Sequence, residues 1–187
     1  MAKEESEKTW RVLKSEYLIR RPWLTARRDA VEYPDGRVND EYYVLEYPDW
    51  VNVIALTTDG QMVMVRQYRH GIGRMSLELC AGVVEDGETP LEAARRELEE
   101  ETGYVGGEWE EGVAMCANSS TTNNLTYNFM ARGVVPSGTR HLDATEDLEY
   151  VLMTPEEVKK RMDEGGEILQ ATMLAALWRF FEKELYK

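Results

Sequence analysis

One acidic segment, residues 82–104, constrains this chain more than any other part of it. Seven of its positions carry glycine, glutamate or arginine at fixed spacing: Gly82, Glu88, Arg96, Glu97, Glu100, Glu101 and Gly103. At average residue frequencies, such a match at any one start position has a chance on the order of one in ten million. The spacing therefore calls for a physical explanation, which begins with local structure.

The middle of this segment predicts a helix with defined ends. Thr89 suits the N-cap and Pro90 the first helical position, and Glu92, three residues after Thr89, completes a capping box. Gly103 is a typical helix stop. Three apolar residues recur at i, i+3 and i+7 and predict a stripe packed against a core. They are Leu91, Ala94 and Leu98.

Three glutamates converge on another face of the same helix, at a cost to folding. Glu97, Glu100 and Glu101 stand at i, i+3 and i+4, where like charges cost roughly 0.2–0.5 kcal/mol per pair. Acidic residues in the last turn also interact unfavourably with the negative end of the helix dipole, at a cost of about 0.3–1 kcal/mol each. Bound divalent cations would reverse the sign of these terms. We therefore predict a divalent-cation site here, with Arg96 offsetting part of the repulsion through Glu92 and Glu100, each four residues away.

The formal net charge of −13 argues against a nucleic-acid-binding surface, because phosphate contacts need clustered lysine and arginine. A phosphate-containing substrate suits such a chain only if metal ions stand between the carboxylates and the phosphates. No stretch approaches the roughly 20 apolar residues of a membrane helix, and the first residues lack a signal-peptide core. Because Cys80 and Cys116 lie in apolar stretches without zinc-site spacing, we expect buried free thiols and a cytoplasmic protein.

The order of the patterns predicts an α/β protein with a small β unit ahead of the main domain. The turn signal Pro34-Asp35-Gly36 separates strands predicted over 23–33 and 41–47. We expect an N-terminal antiparallel β extension over 1–48 and a catalytic domain over 49–187. Within the latter, strands are predicted over 51–57, 62–68, 75–81, 113–117, 125–131 and 148–153. Helices are predicted from the capping box at Thr154 to Gly165, and over about 168–186.

The segment 82–104 resembles the Nudix box, G-x5-E-x7-R-E-U-x-E-E-x-G-U, in which U is a bulky aliphatic residue. The one departure is Tyr104 at the last U, a packing position at the helix end. The resemblance implies the Nudix fold, a mixed β-sheet sandwiched between helices. It also implies a hydrolase of a nucleoside diphosphate linked to another group, with Mg2+ as cofactor and Mn2+ as an alternative metal.

The residues before the box resemble one branch of that superfamily. Residues 67–69 and 78–82 read QYR and ELCAG, similar to the QYR and ELPAG of ADP-ribose and nucleoside-diphosphate-sugar pyrophosphatases, with Cys80 in place of the usual Pro. The acidic stretch 146–150 and the helix start at Thr154 are similar to the same branch, so the likeness covers roughly residues 45–180. It implies hydrolysis to a nucleoside monophosphate and a sugar phosphate, and a homodimer formed through the N-terminal strands.

The resemblance also implies a role for each matching residue at the metal centre. Glu97 and Glu101 would be the primary Mg2+ ligands, and Glu100 would complete the set. The backbone carbonyl of Ala81, exposed by the turn at Gly82, would be a further ligand. Arg96 would belong to the catalytic group beside them.

Substrate contacts and the general base come from outside the box. Arg69 would hold a phosphate through its forked donors. Glu78 lies on the opposite strand face from its two leucine neighbours and is expected to point into the site as a ligand or an orienting group. Trp50 can stack a nucleobase, although a core position suits it equally. For the base, Glu146 is the first choice and Asp143 the second, against the alternative that their loop is a solvated acidic loop.

Other functions remain open on the sequence. Residues 117–124 lack the Pro and Gly that ADP-ribose-specific members often carry, which argues against strict preference for ADP-ribose. One alternative is a Nudix hydrolase of a dinucleotide polyphosphate or an oxidised nucleotide, against which the QYR stretch and the extra N-terminal strands speak. A second is a non-catalytic nucleotide-sugar-binding regulatory module, which the retention of all box carboxylates disfavours. In each case the partner is a small molecule and not a nucleic acid or a membrane.

Overall fold

The computed structural model describes residues 8–142 and 147–185 of the 187-residue chain, with side chains to residue 183. Within these residues the elements follow in the order β1 Arg11–Arg21, β2 Leu24–Glu32, β3 Val38–Glu46, β4 Trp50–Thr57, β5 Met62–Arg69, β6 Arg74–Val83, α1 Pro90–Thr102, β7 Tyr104–Glu111, β8 Thr126–Pro136, β9 Leu148–Met153, α2 Pro155–Glu164 and α3 Ala171–Leu185. The chain divides into two compact units. The first is Met1–Tyr47 with Asn118–Asn124, and the second is Pro48–Ala117 with Leu125–Lys187.

The first unit is built on an antiparallel sheet in the order β1-β2-β3. The predicted hairpin is present, with Gly36 at a φ of 83°, a left-handed conformation that glycine adopts without strain. All residues of β1 are exposed, and β1 forms one edge of this sheet. The segment 118–124 pairs with the end of β3, since the Leu45 N–H donates to the Thr121 carbonyl over 2.7 Å.

The second unit is a mixed sheet in the order β7-β8-β4-β6-β5-β9, in which β4 and β8 run parallel. Strand alternation divides its core into two layers. One face packs against α1, and its core includes Val51, Val53, Val63, Val65, Cys80 and Leu98. The other face packs against α2 and α3, and its core includes Ile54, Met64, Leu77, Leu79, Val158 and Leu177. The predicted sandwich of a mixed sheet between helices is confirmed.

The predicted strand over 113–117 is wrong. The structure has β7 at Tyr104–Glu111, and in 113–117 only Met115 forms a β-bridge, to Thr126. β7 is an edge strand with glutamates and two positive-φ glycines, Gly106 and Gly107, so its composition resembles a loop. A strand held by one neighbour and exposed to solvent does not need the apolar pattern on which the prediction relied.

The remaining elements agree with the sequence more closely. α2 begins at its capping box, in which the Thr154 N–H donates to the Glu157 carboxylate over 2.8 Å. The last helix begins at Ala171, and Ile168, predicted to be helical, is a buried residue ahead of it. Cys80 is buried and Cys116 is half-buried. Among the helices of the described residues, none has the length and apolar character to span a bilayer.

Candidate active site

The ends of α1 are fixed as the sequence predicts. The Thr89 N–H donates to the Glu92 carboxylate over 2.7 Å, and the Glu92 N–H donates to the Thr89 hydroxyl over 3.3 Å. At the other end Gly103 adopts a φ of 72°, and its N–H donates to the Glu99 carbonyl over 2.8 Å. This left-handed cap ends the helix directly after its glutamate cluster.

Packing of α1 on the sheet buries two of the three clustered glutamates. Ala94 and Leu98 are fully buried, and Glu97 and Glu101 keep only 8% and 3% of their surface exposed. Gly82 makes room for one of them, since a Cβ there would lie 1.9 Å from the Glu97 Cδ. The glycine that opens the motif therefore lets a carboxylate lie directly against the end of β6.

Arg96 holds this carboxylate cluster together. Its Nη1 donates to Glu97 over 2.8 Å and to Glu100 over 3.0 Å, and its Nη2 donates to Glu88 over 2.7 Å. A further bond from Nη2 to the Val83 carbonyl, over 2.9 Å, ties the guanidinium to the strand. The hydrogen bond between Arg96 and Glu88 raises the pKa of the arginine and lowers the pKa of the glutamate.

The expected partner of Arg96 on its N-terminal side is corrected by these contacts. The sequence spacing favours Glu92, four residues before Arg96, but the Glu92 carboxylate is used by the helix cap. Glu88, in the loop ahead of the helix, takes that place. Helical spacing alone cannot reveal such a contact, although Glu88 belongs to the recurring motif and could have been suspected from it.

Glu101 lies beside the backbone of Ala81, whose N–H donates to the Glu101 carboxylate over 3.1 Å. Within the described residues, no group of three or more histidine, cysteine, aspartate or glutamate side chains is arranged so that it could hold a metal ion. Glu97 and Glu100 are bonded to Arg96, and Glu101 to this amide. The donor set still fits a hard divalent cation, because it offers only oxygens and includes two buried carboxylates.

Arg69 and Glu78 form a forked ion pair on the same face of the sheet. Arg69 Nε donates to Glu78 Oε1 over 2.8 Å, Nη2 donates to Oε2, and the Gln67 amide reaches the same carboxylate over 3.4 Å. Glu78 is 2% exposed, whereas the Arg69 side chain is 43% exposed. The pKa of Arg69 is raised, mainly by the bond to Glu78 and to a smaller degree by the charge of Glu101. The structure therefore brings Arg69 and Glu78 close to the carboxylates of α1.

Trp50 is not brought to this group. It lies at the start of β4 opposite Val83, whereas its neighbour Val51 lies opposite Gly82 and belongs to the core under α1. Successive side chains of a strand point to opposite faces, so Trp50 faces away from α1. The two candidate bases, Asp143 and Glu146, lie outside the described residues.

The C-terminal end of α1 holds contacts that the sequence did not indicate. Arg140 donates from Nε to the Glu101 carbonyl over 2.5 Å and from Nη2 to the Leu148 carbonyl over 2.7 Å. The His141 N–H donates to the Glu100 carbonyl over 3.1 Å. One sequence signal did exist: the last turn of α1 contains no basic residue, so a basic side chain from another element would be favourable there.

Comparison with known families agrees with this geometry. Residues 47–176 match the model of the NUDIX domain, and residues 10–45 match that of the nucleoside diphosphate sugar hydrolase N-terminal domain. A solved structure described as an ADP compounds hydrolase superposes with a TM-score of 0.81 at 21% identity, covering 95% of this chain and 96% of that one. At that identity the superposition establishes the fold alone.

Two named relatives match over most of their length. The ADP-ribose pyrophosphatase of Bacillus subtilis (strain 168) is 32% identical over 150 residues, which cover 80% of each chain. The methanol dehydrogenase activator of Bacillus methanolicus is 30% identical over 186 residues, which cover 99% of this chain and 98% of the relative. Because the NUDIX model spans the six-stranded sheet and α1, the chain belongs to the Nudix family.

Proposed function

We propose that this protein is a divalent-cation-dependent hydrolase of nucleoside diphosphate sugars or ADP-ribose. The products would be a nucleoside monophosphate and a sugar phosphate. The observation that carries the proposal is the pair of buried carboxylates, Glu97 and Glu101, at the end of one helix, with Gly82 leaving room for the first. The similarity to an ADP-ribose pyrophosphatase supports this substrate class.

In this proposal Glu97 and Glu101, with Glu100 and the Ala81 carbonyl, hold Mg2+. The bound cation would neutralise phosphate charge and lower the pKa of a water molecule. Arg96 restrains Glu97 and Glu100 while the cation is absent and limits their mutual repulsion. As an arginine, Arg96 is charged with or without the cation, and its bond to Glu88 raises its pKa further.

Arg69 is the proposed phosphate-binding residue. The Glu78 carboxylate takes the edge of the guanidinium formed by Nε and Nη2, so the opposite edge, with Nη1 and the second N–H of Nη2, is the part that phosphate oxygens can use. Glu78 thereby fixes the plane of the guanidinium and acts as an orienting group. A guanidinium held in place binds phosphate with less loss of side-chain entropy than a free one.

The family resemblance assigns the general base. Glu146, or Asp143 as second choice, is the proposed acceptor of the proton from the attacking water. Stacking of a nucleobase on Trp50 stays a prediction, and it requires a substrate that reaches the sheet face away from α1. We also propose a cytoplasmic homodimer formed through the N-terminal strands.

A substrate panel tests the activity directly. ADP-ribose, GDP-mannose, UDP-glucose and dinucleotide polyphosphates are incubated with the full chain and Mg2+, and the products are resolved by phosphorus NMR. Cleavage of the first three at the diphosphate supports the proposal. Preference for dinucleotide polyphosphates would favour the alternative hydrolase, and absence of turnover on the whole panel would contradict hydrolysis of this class.

The variant Glu101→Gln tests the metal role. We expect loss of turnover by at least about a hundredfold, because a neutral amide cannot replace a carboxylate ligand of a hard cation. Without metal, the fold should stay intact or gain slight stability, since one acid is removed from the negative end of α1. Kinetics and thermal unfolding in EDTA measure both effects, and wild-type activity in the variant would refute the role.

A second function is suggested by one relative, which is named as an activator of methanol dehydrogenase. Stimulation of such a dehydrogenase can be measured with wild-type protein and Glu101→Gln in parallel. Stimulation that survives the substitution would indicate a regulatory role independent of hydrolysis.

A further inference from the structure

The C-terminal end of α1 is electrostatically unfavourable. Its last turn carries Glu99, Glu100 and Glu101, and no basic residue lies in that turn. The last carbonyls of a helix also lack partners within the helix. Negative charge, and carbonyl oxygens that have no hydrogen-bond partner within the helix, therefore accumulate beside the proposed cation-binding carboxylates.

Residues 137–141 close this end of the helix. The Ser137 N–H donates to the Gly103 carbonyl over 2.7 Å, and the His141 N–H to the Glu100 carbonyl over 3.1 Å. A Cβ on Gly103 would lie 2.8 Å from the Thr139 carbonyl oxygen, so the two backbones are in close contact. Within this segment Arg140 brings a positive charge to the Glu101 carbonyl, over 2.5 Å.

Arg140 also reaches a second element. Its Nη2 donates to the Leu148 carbonyl at the start of β9 over 2.7 Å, and its guanidinium lies 5.8 Å from the centre of the Tyr150 ring. One guanidinium therefore connects the last turn of α1 with the first residues of β9. Two donors on a rigid plane hold these elements at a defined separation in a way that a single ammonium group cannot.

β9 leads directly to the phosphate-binding side of the site. Leu148 pairs with Gln67 on β5, and Gln67 and Arg69 both donate to Glu78. A chain of described contacts thus runs from the Glu101 carbonyl through Arg140 and β9 to the Arg69–Glu78 pair. Hydrolysis needs the cation and the phosphate at a defined distance from each other. A misplacement of the reacting groups by about 1 Å can lower the rate on the order of a hundredfold.

We propose that Arg140 is a positioning residue that sets the separation between the cation-binding end of α1 and the Arg69–Glu78 pair. This inference rests on the proposed function for its kinetic consequence, but the connection itself is independent of activity. In this role Arg140 acts through its hydrogen bonds to the carbonyls of Glu101 and Leu148, and no contact with substrate or cation is assigned to it.

The test compares three variants of the full chain at a temperature where all are folded. Arg140→Ala removes both bonds, and Arg140→Lys keeps the charge with a single donor group. Arg95→Ala is the matched control, because Arg95 is an exposed arginine on α1 itself that packs on the Trp109 ring and not on the end of the helix. The measurements are kcat and KM, Mg2+ binding to the protein alone by calorimetry, and amide hydrogen exchange.

For Arg140→Ala we expect kcat to fall by roughly tenfold to a hundredfold, with KM and Mg2+ affinity within about threefold of wild type. Amides of β9 and of the last turn of α1 should exchange faster than in the control. Arg140→Lys should recover part of kcat, and Arg95→Ala should stay within about twofold of wild type. A fall in kcat of this size, with Mg2+ affinity nearly unchanged, supports a positioning role for Arg140. General destabilisation of the fold is not expected to separate kcat from Mg2+ binding in this way.

Two results would overturn the inference. One is wild-type kcat and exchange rates in Arg140→Ala; the other is an equal loss in Arg140→Ala and Arg95→Ala. Both leave the proposed function standing, since they presuppose an active wild-type protein. Inactive wild-type protein on the whole substrate panel would instead remove the proposed function, and the exchange data would then decide alone whether Arg140 joins α1 to β9.

Discussion

At residue 82 the site depends on a missing side chain. A Cβ there would meet the Glu97 carboxylate at 1.9 Å, so Gly82→Ala must displace that carboxylate. The displaced atoms are the end of a flexible side chain, and we expect the free energy of unfolding to change by less than about 2 kcal/mol. The affinity for Mg2+, read from the metal dependence of activity, should fall on the order of tenfold or more.

The control for this substitution is Gly71→Ala. Gly71 has no atom within 4 Å of an added Cβ, and its backbone is not left-handed. The same methyl group should therefore leave metal dependence unchanged. If Gly82→Ala bound Mg2+ with wild-type affinity, the present position of the Glu97 carboxylate would not be required for metal binding.

The bond between Glu88 and Arg96 predicts a pH dependence of stability. Because it lowers the pKa of Glu88 below the usual 4.5, its contribution is present above pH 4.5 and is lost as the pH falls through the pKa of the folded state. Glu88→Gln should be less stable than wild type at pH 7, and the two should converge in acid. Denaturant unfolding between pH 7 and 3 measures this, and parallel curves would contradict it.

At the scale of elements, two matched capping boxes allow a controlled comparison. Thr89 begins α1 and Thr154 begins α2, each with a reciprocal bond to the glutamate three residues on. Thr89→Ala and Thr154→Ala should each lower the free energy of unfolding by about 1 kcal/mol. Neither should change kcat well below the melting temperature, because Glu97 and Glu101 lie at the other end of α1. A selective loss of kcat in Thr89→Ala would show that the cap also shapes the site.

Local elements could be predicted from the sequence because their determinants are neighbours in the chain. The caps, the apolar stripe and the Gly103 stop of α1 all depend on residues within a few positions of each other. β7 escaped prediction because an exposed edge strand needs no apolar alternation. The face on which Trp50 lies depends on the register between β4 and β6, which no local pattern encodes.

Within the site the same distinction holds. The convergence of Glu97, Glu100 and Glu101 follows from helical spacing, and Glu78 could be placed by strand alternation. The bond from Arg140 to Glu101 joins residues separated by 39 positions and depends on how β8 returns to α1. Such contacts arise from tertiary packing. The sequence alone showed only that the acidic last turn of α1 contains no basic residue.

At the scale of the whole molecule, β1 predicts self-association. It is an edge strand with every residue exposed, and several of its large apolar side chains face solvent. Unpaired apolar edges bind other strands, and we expect a homodimer. Ile19→Lys should shift the protein toward monomer in light scattering coupled to gel filtration. The matched control is Ile72→Lys in a loop of the second unit, where Ile72 is 55% exposed against 43% for Ile19.

Equal behaviour of the two variants would mean that β1 is not the dimer surface. A wild-type protein that stays monomeric at micromolar concentration would remove the proposal altogether.

The first unit is discontinuous in sequence, and this limits how the protein can be dissected. The Leu45 carbonyl accepts from the Asn123 N–H, and the Tyr47 N–H donates to the Asn123 side chain. An expression fragment beginning at residue 49 would keep 118–124 but strip away the strand that pairs with it. Shortened versions of this protein should therefore replace that loop with a tight turn, or they will carry an orphaned segment prone to proteolysis.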